Sequence, residues 1–214
     1  MSSPYRDAEV PTDVVDPATS APLATFDVSG QDGPQGADGH SGHDGSSSGA
    51  SGYDGTNAGP ATPGDSAGMI NLEMKADDAA GSVSLAGDMV LARGEKRQIR
   101  NLVVVGEAGT IELLATGGQG GRGGNGGNGG DGAHGSRGSD ATQWSSGSDG
   151  GSGGDGGNGG IATSGARGGD GGNIVVSLSE DDTPLLMLLH HAIAQGTGGA
   201  PGKNGVGGSG GSGG

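Results

Sequence analysis

Glycine recurs at every third position, without a miss, from Gly117 to Gly138 in the stretch GGQGGRGGNGGNGGDGAHGSRG. The same phase returns elsewhere, in residues 30–45, 49–55, 147–159, 165–171 and 196–214. A flexible linker needs glycine but has no reason to keep it in phase, so the period indicates ordered structure. Edges made of glycine allow neighbouring backbones to approach closely enough to exchange N–H···O=C hydrogen bonds.

A three-residue period matches an extended left-handed helix of the polyproline II type, which has no internal hydrogen bonds. The period is a collagen-like repeat, but residues 117–172 contain no proline, which argues against a collagen triple helix. With 55 glycines in 214 residues and only 29% hydrophobic residues, a core of ordinary size is not available. The sequence therefore predicts one chain folded back on itself as a bundle of about five left-handed polyglycine II helices.

Short apolar stretches separate the glycine runs and are typical of β-strands. They are MINLEM, GSVSLAGDMVLA, RQIRNLVVV, GTIELLA, GGNIVVSL and PLLMLLHHAIA. The last favours helix by its Leu, Met and Ala content, yet it leads directly into a glycine run, so we assign it to a strand. The predicted fold class is mostly β plus irregular structure, with a small β-sheet or sandwich at one end of the bundle.

Doubled glycines predict runs that have neighbours on two sides, with one position in three left to carry a side chain. The predicted structural glycine edge comprises Gly117, Gly120, Gly123, Gly126, Gly129, Gly132, Gly150, Gly153, Gly156 and Gly159. The free positions form an exposed polar stripe, and the predicted interaction stripe comprises Arg122, Asn125, Asn128, Asp131, His134, Arg137 and Trp144. Trp144 is expected to anchor a turn onto the bundle, with an exposed ligand-stacking residue as the alternative.

The run GARGGDGGNIVVSL, in which glycine triplets lead straight into a strand, resembles the glycine-rich N-terminal domain of the Obg GTPase family. That resemblance implies glycine helices projecting from a small β-structure, and it brings no activity because the GTPase domain is absent. The period alone is also similar to the polyglycine II bundles of springtail antifreeze proteins and of some phage tail-tip adhesins.

The net charge of −15 should repel phosphate backbones and anionic lipid surfaces, so neither a nucleic acid nor a membrane is expected as a partner. The N-terminus has no signal-peptide pattern, which favours the cytoplasm without fixing the compartment. Residues 1–22 are predicted to be a flexible leader, and residues 23–214 a single glycine-rich domain. Because the chain ends in phase in GGSGGSGG, we expect a fragment of a longer protein.

No arrangement of residues predicts catalysis, and no cofactor or metal is expected. His190 and His191 are adjacent and would point to opposite faces of a strand, which disfavours a shared metal. Asp131, Asp155 and Asp170 resemble calcium-loop residues but lack the apolar residue that the repeat requires.

We expect a non-enzymatic structural scaffold or protein-interaction module, whose partner is a protein, the chain itself or other domains of a longer chain. The alternative is an adhesion module for a glycan or host surface, and less favourably an ice-binding antifreeze, since the free positions are mostly Asp, Asn, Ser, Arg and His.

Overall fold

The computed structural model describes residues 22–77, 81–105 and 109–214. The predicted leader, residues 1–22, lies outside the described residues except for Pro22. The described strands are β1 (Ala24–Asp27), β2 (Met69–Asp77), β3 (Ser82–Val90), β4 (Lys96–Val104), β5 (Ile111–Leu114), β6 (Asn173–Ser177) and β7 (Leu189–Ala192). The strand predictions for β2 to β6 are confirmed. The stretch PLLMLLHHAIA is only partly a strand, because a 3₁₀ helix at Thr183–Leu188 precedes β7.

The strands form two sheets. Sheet 1 has the order β1-β5-β7, and both pairings are parallel. Sheet 2 has the order β4-β3-β2-β6, in which β3 is antiparallel to both of its neighbours and β6 is parallel to β2. Parallel neighbours cannot be joined by a tight hairpin, and here each connection between them includes a pair of glycine runs together with other strands.

The two sheets pack face to face over an apolar core, and we call this part the sandwich. On β2, buried Ile70, Leu72 and Met74 alternate with residues that point outward, which is the two-residue period of a half-buried strand. Sheet 1 supplies the opposite side of the core. The other buried apolar side chains are Phe26, Val28, Val83, Leu85, Ile99, Val103, Ile111, Leu113 and Ala115.

Each glycine run continues a strand, and we define five glycine segments by residue number. Segments 29–45, 115–138 and 194–214 follow β1, β5 and β7 and extend sheet 1. Segments 50–68 and 148–172 lead into β2 and β6 and extend sheet 2. The molecule therefore has two layers, each composed of a sheet and its glycine segments.

Backbone hydrogen bonds join the glycine segments both within a layer and between the layers. Within the first layer, Gly33 N–H donates to the Gln119 carbonyl at 2.7 Å, and Gly120 N–H to the Thr197 carbonyl at 2.8 Å. Between the layers, Gly127 N–H donates to the Thr56 carbonyl at 3.0 Å. The same pattern repeats every three residues along the segments.

The predicted fold class is wrong. In the part of the chain that the structure describes, the regular elements are two sheets of three and four strands with almost no helix, so this is a sheet-containing domain. It is neither a bundle of about five polyglycine II helices with a small sheet at one end nor a collagen-like repeat. The physical reason is that the glycine segments run on from the strands and continue the two sheet layers, with both parallel and antiparallel neighbours.

Candidate functional site

Segment 115–138 lies at the centre of the glycine segments. Its glycine N–H groups donate to segments 50–68 and 194–214, and its carbonyl groups accept from segments 29–45 and 148–172. Several of its glycines are buried, which explains why no side chain stands at those positions. The centre of this region is therefore backbone, and any functional side chains must lie on its outer faces or at its ends.

The ten residues of the predicted structural glycine edge face a neighbouring backbone. A Cβ added at Gly117, Gly120, Gly123, Gly126, Gly129 or Gly132 would meet a carbonyl group of segment 148–172. A Cβ added at Gly150, Gly153, Gly156 or Gly159 would meet a carbonyl group of segment 194–214. All of these approaches lie well inside 3.0 Å, a distance that real Cβ atoms essentially never reach.

The predicted interaction stripe on segment 115–138 is largely engaged with the adjacent segment. The Oδ1 atoms of Asn125, Asn128 and Asp131 accept backbone N–H groups of segment 194–214 at 2.9, 3.0 and 2.7 Å. His134 Nδ1 accepts the Ser212 N–H at 3.1 Å. These four side chains are exposed or half-buried, yet they bridge two segments of the same chain.

Two arginines complete the stripe on segment 115–138. Arg137 pairs with Asp140 across 3.5 Å, and both side chains are highly exposed. Arg122 is exposed, and its carbonyl accepts the Gly36 N–H at 2.9 Å. Most of the stripe therefore joins segment 115–138 to segment 194–214, and we call this row of side-chain hydrogen bonds the seam. It is less free for recognition of a partner than the sequence suggests.

Sequence reasoning missed a second set of side chains that play the same part from segments 29–45 and 50–68. Asp32, Asp38 and Asp44 accept the N–H groups of Gln119, Asn125 and Asp131 through their Oδ1 atoms at 2.6 to 2.8 Å. On the second layer, Asp54 accepts the Asn158 N–H and Asn57 accepts the Ile161 N–H. A signal was present, because Asp32, Asp38 and Asp44 are spaced by six residues, which is twice the glycine period.

Trp144 stands at the end of the glycine segments that lies away from the sandwich, in residues 139–148, which we call the tip loop. Thr142 N–H donates to the Ser145 carbonyl at 2.9 Å and closes a tight turn that contains Trp144. The Ser148 N–H donates to the Ser139 carbonyl at 3.0 Å. The Trp144 side chain is 89% exposed, so the expectation that it anchors the turn is wrong. The structure instead presents it to solvent.

Positive charge is concentrated in one place. Four of the ten lysines and arginines lie within residues 93–100, at the hairpin between β3 and β4 and on β4 itself. Arg93 pairs with Asp65 at 3.1 Å, and Arg97 pairs with Glu95 at 2.8 Å. The hydrogen bond and the charge of Glu95 raise the pKa of the Arg97 guanidinium above its ordinary value.

Within residues 22–77, 81–105 and 109–214, no group of three His, Asp or Glu side chains lies together as a metal ion would need. His190 and His191 lie on β7 opposite Glu112 and Leu113 of β5, and therefore on opposite faces of sheet 1. No helix in the described part of the chain is long and apolar enough to cross a membrane.

No protein-family model matches the chain, and neither a curated protein nor a solved structure matches it. The resemblance to the glycine-rich domain of the Obg GTPases, and the similarity in period to antifreeze and adhesin proteins, therefore stay predictions.

Proposed function

We propose that the protein is a non-catalytic structural scaffold that holds separate interaction surfaces at a fixed distance from one another. The observation that supports this proposal most strongly is the position of segment 115–138, which is hydrogen-bonded to all four of the other glycine segments. A segment held on four sides cannot bend without breaking bonds in several directions. The partners of such a scaffold are proteins, including further copies or other domains of a longer chain.

Stiffness follows from the spacing of these bonds. Each backbone hydrogen bond contributes only about 0.5–1.5 kcal/mol to stability, but here such bonds recur every three residues along the length of the segments. Side chains such as Asp38 and Asn128 add bonds on the outer faces, where the backbone would otherwise face water. A local bend would therefore break backbone bonds and side-chain bonds together.

The length of the segments separates two parts of the surface. The 24 residues of segment 115–138 span at most about 80 Å in an extended backbone. The tip loop with Trp144 lies at one end, and the sandwich with the basic strand β4 lies at the other. A scaffold of this shape can keep two partners apart or hold one partner at a distance from the sandwich.

Distance measurements between spin labels at the two ends test the proposal. The chain has no cysteine, so Ala141→Cys in the tip loop and Asp181→Cys beyond β6 give two unique label sites. We expect a single narrow distance distribution by pulsed electron paramagnetic resonance. The same labels in a Gly127→Val background, in which a side chain is forced against the backbone of segment 29–45, should give a broad one. A broad distribution in the unaltered chain would contradict the scaffold role.

A second candidate function, adhesion to a glycan surface through the tip loop, is favoured by the exposure of Trp144. Tryptophan is enriched at binding interfaces, and the exposed indole of Trp144 presents a flat apolar face that can stack on a sugar ring. Trp144 is the only tryptophan, so its fluorescence reports on the tip loop directly. Titration with soluble oligosaccharides of glucose, galactose and N-acetylglucosamine should shift the emission if this function is correct. As an independent check, the unaltered chain and Trp144→Ala are passed over affinity resins that carry the same sugars. An unchanged emission spectrum with all three sugars, together with identical elution of the two chains, would exclude these ligands.

A further inference from the structure

Strand β4 is the outer strand of sheet 2 and has one free edge. It pairs with β3 along its whole length, from Lys96 opposite Val90 to Val104 opposite Ser82. None of the described residues pairs with its other edge. Nine residues of edge strand present a row of backbone N–H and C=O groups on which a further strand can form.

The side chains of β4 that point away from the core fall into two halves. Val83 and Leu85 are buried, so their partners Val103 and Asn101 lie on the core side of the sheet. The alternate residues therefore lie on the outer face, and these are Lys96, Gln98, Arg100, Leu102 and Val104. The first half of this face is basic, and the second half is apolar, with Leu102 65% and Val104 68% exposed.

The two basic side chains of this face are without acidic partners in the described part of the chain. Neither Lys96 nor Arg100 takes part in the ion pairs found there, whereas Arg93 and Arg97 both do. Lys75, Arg122 and Lys203 are likewise outside the ion pairs of the described residues, so what distinguishes Lys96 and Arg100 is their shared position on the outer face of an edge strand. They are available to a partner of opposite charge.

The same charges argue against a second copy of the chain as the occupant. If two β4 strands paired antiparallel about Arg100, each Arg100 would lie opposite its equivalent, and each Lys96 would lie opposite Val104 of the other copy. Like charges directly opposite each other in a sheet are destabilising. The cations therefore block self-pairing while they favour an acidic strand.

We propose that β4 binds an extended segment of a partner protein by strand addition. The bound segment is acidic where it lies opposite Lys96 and Arg100, and apolar where it lies opposite Leu102 and Val104. Main-chain hydrogen bonds give affinity in this mode of recognition, and alternate side chains give specificity. The inference does not depend on the scaffold role, because it concerns the sandwich edge and not the stiffness of the glycine segments.

The register specifies a peptide for an antiparallel addition. Read from its N-terminus, the peptide lies opposite Val104, Leu102, Arg100, Gln98 and Lys96 at alternate positions. The corresponding nine-residue peptide is Val-Thr-Val-Thr-Glu-Thr-Thr-Thr-Glu, with its two acidic residues four positions apart. A control peptide carries Lys in place of both Glu residues and keeps everything else.

Fluorescence anisotropy with the labelled peptides tests the proposal on the full chain. We expect the Glu peptide to bind and the Lys peptide to bind at least about tenfold more weakly, because each reversed pair turns an attraction into a repulsion. The double variant Lys96→Glu/Arg100→Glu should weaken the Glu peptide by a similar factor. The matched control Arg137→Glu/Lys203→Glu also reverses one arginine and one lysine, at positions along the glycine segments and outside the sandwich, and should alter the affinity less than twofold.

Hydrogen exchange locates the bound peptide. Saturation with the Glu peptide should slow the exchange of alternate amides in residues 96–104 and leave those of segment 115–138 unchanged. Equal binding of both peptides, equal weakening by both double variants, or no protection of β4 amides would each overturn the proposal. A chain that sediments as a dimer through β4, with the peptide unable to displace it, would overturn it in favour of a second copy.

Discussion

In the sandwich, the two layers are kept apart by buried side chains such as Ile70, Leu85 and Ile111, at the spacing of about 10 Å that is usual for packed sheets. Along the glycine segments, the same two layers touch through their backbones, and Gly127 N–H reaches the Thr56 carbonyl at 3.0 Å. One chain therefore brings the same pair of layers together in two ways. In the first the contact is made by side chains, and in the second by peptide groups.

The difference shows how a chain with 29% hydrophobic residues can form two ordered layers over most of its length. Burial of apolar surface stabilises the sandwich, at about 25 cal/mol for each Å². The glycine segments bury little side chain, and their stability depends on many hydrogen bonds of modest net value. Glycine loses more backbone freedom on folding than any other residue, so this arrangement requires an almost complete hydrogen-bond network.

The largest expected effect comes from placing one methyl group between the packed backbones of the glycine segments. A Cβ at Gly127 would meet the His40 carbonyl well inside 3.0 Å, and its neighbours are backbone atoms that cannot turn away. Gly127→Ala should separate Gly127 N–H from the Thr56 carbonyl and leave both unsatisfied, at about 1–3 kcal/mol each. We expect the free energy of unfolding to fall by about 2–6 kcal/mol, as measured by urea denaturation.

A matched glycine on the surface provides the control for this prediction. A Cβ at Gly210 would meet only the Gly154 carbonyl, at 3.7 Å, which is an ordinary contact. Gly210→Ala should be neutral or stabilise the fold by about 0.4–1 kcal/mol, because alanine restricts the unfolded chain. Similar losses for Gly127→Ala and Gly210→Ala would mean that the backbones of the glycine segments are not packed this closely.

A cavity in the sandwich should cost about as much but by another mechanism. Leu85 is fully buried between the sheets, and Leu85→Ala should lower the free energy of unfolding by about 2–5 kcal/mol. Because the strands run directly into the glycine segments, we expect one unfolding transition in both Leu85→Ala and Gly127→Ala. Loss of amide protection in the sandwich alone, with protection of segment 115–138 unchanged, would show that the two regions unfold separately.

The sequence predicts the strands of this fold better than their arrangement. Alternation in residues such as Ile70, Leu72 and Met74 marks a strand whatever its partner is, so the strand predictions hold. Arrangement depends on contacts between distant positions, such as Ala24 with Ile111, which no local pattern encodes. For that reason the strand order of the two sheets and the grouping of the glycine segments into two layers were not predicted, and the predicted fold class is wrong.

The candidate site was predictable only in part, for the same reason. The stripe positions follow from the glycine period, but their partners depend on the register between segments. Asn128 meets the Val206 N–H, which lies 78 residues away along the chain. Trp144 was expected to pack because large aromatics are usually at least partly buried, and its exposure follows from a turn too short to fold back onto the segments.

A smaller effect is expected where side chains assist the backbone contacts of the glycine segments. Asn128→Ala removes the acceptor for the Val206 N–H, and because this group can turn to water, the loss should be about 0.5–1.5 kcal/mol. Asn128→Asp keeps an acceptor oxygen and should retain most of the stability. Urea denaturation of both variants distinguishes a seam between segments from a free stripe. Equal stability of Asn128→Ala and the unaltered chain would favour the free stripe.

The smallest effect is expected at the end of the sandwich away from the glycine segments, where a carboxylate, and not a backbone carbonyl, accepts the hydrogen bonds that join two parts of the chain. The Asp182 carboxylate accepts hydrogen bonds from the Ser179 hydroxyl at 2.7 Å and from the Ala76 N–H at 3.1 Å. These two hydrogen bonds, and to a smaller extent the charge of Lys75, lower the pKa of Asp182 below its ordinary value. Since the folded pKa is depressed, the stabilisation is present at pH values above the unfolded pKa and is lost as the pH falls through the folded pKa. Ser179→Ala removes the largest cause and should move the Asp182 pKa upward, which carboxyl ¹³C chemical shifts followed by NMR during an acid titration would measure. The matched variant Ser152→Ala on segment 148–172 should leave the Asp182 titration unchanged. An Asp182 pKa that is the same with and without the Ser179 hydroxyl would show that this end of the sandwich is not tied by the carboxylate.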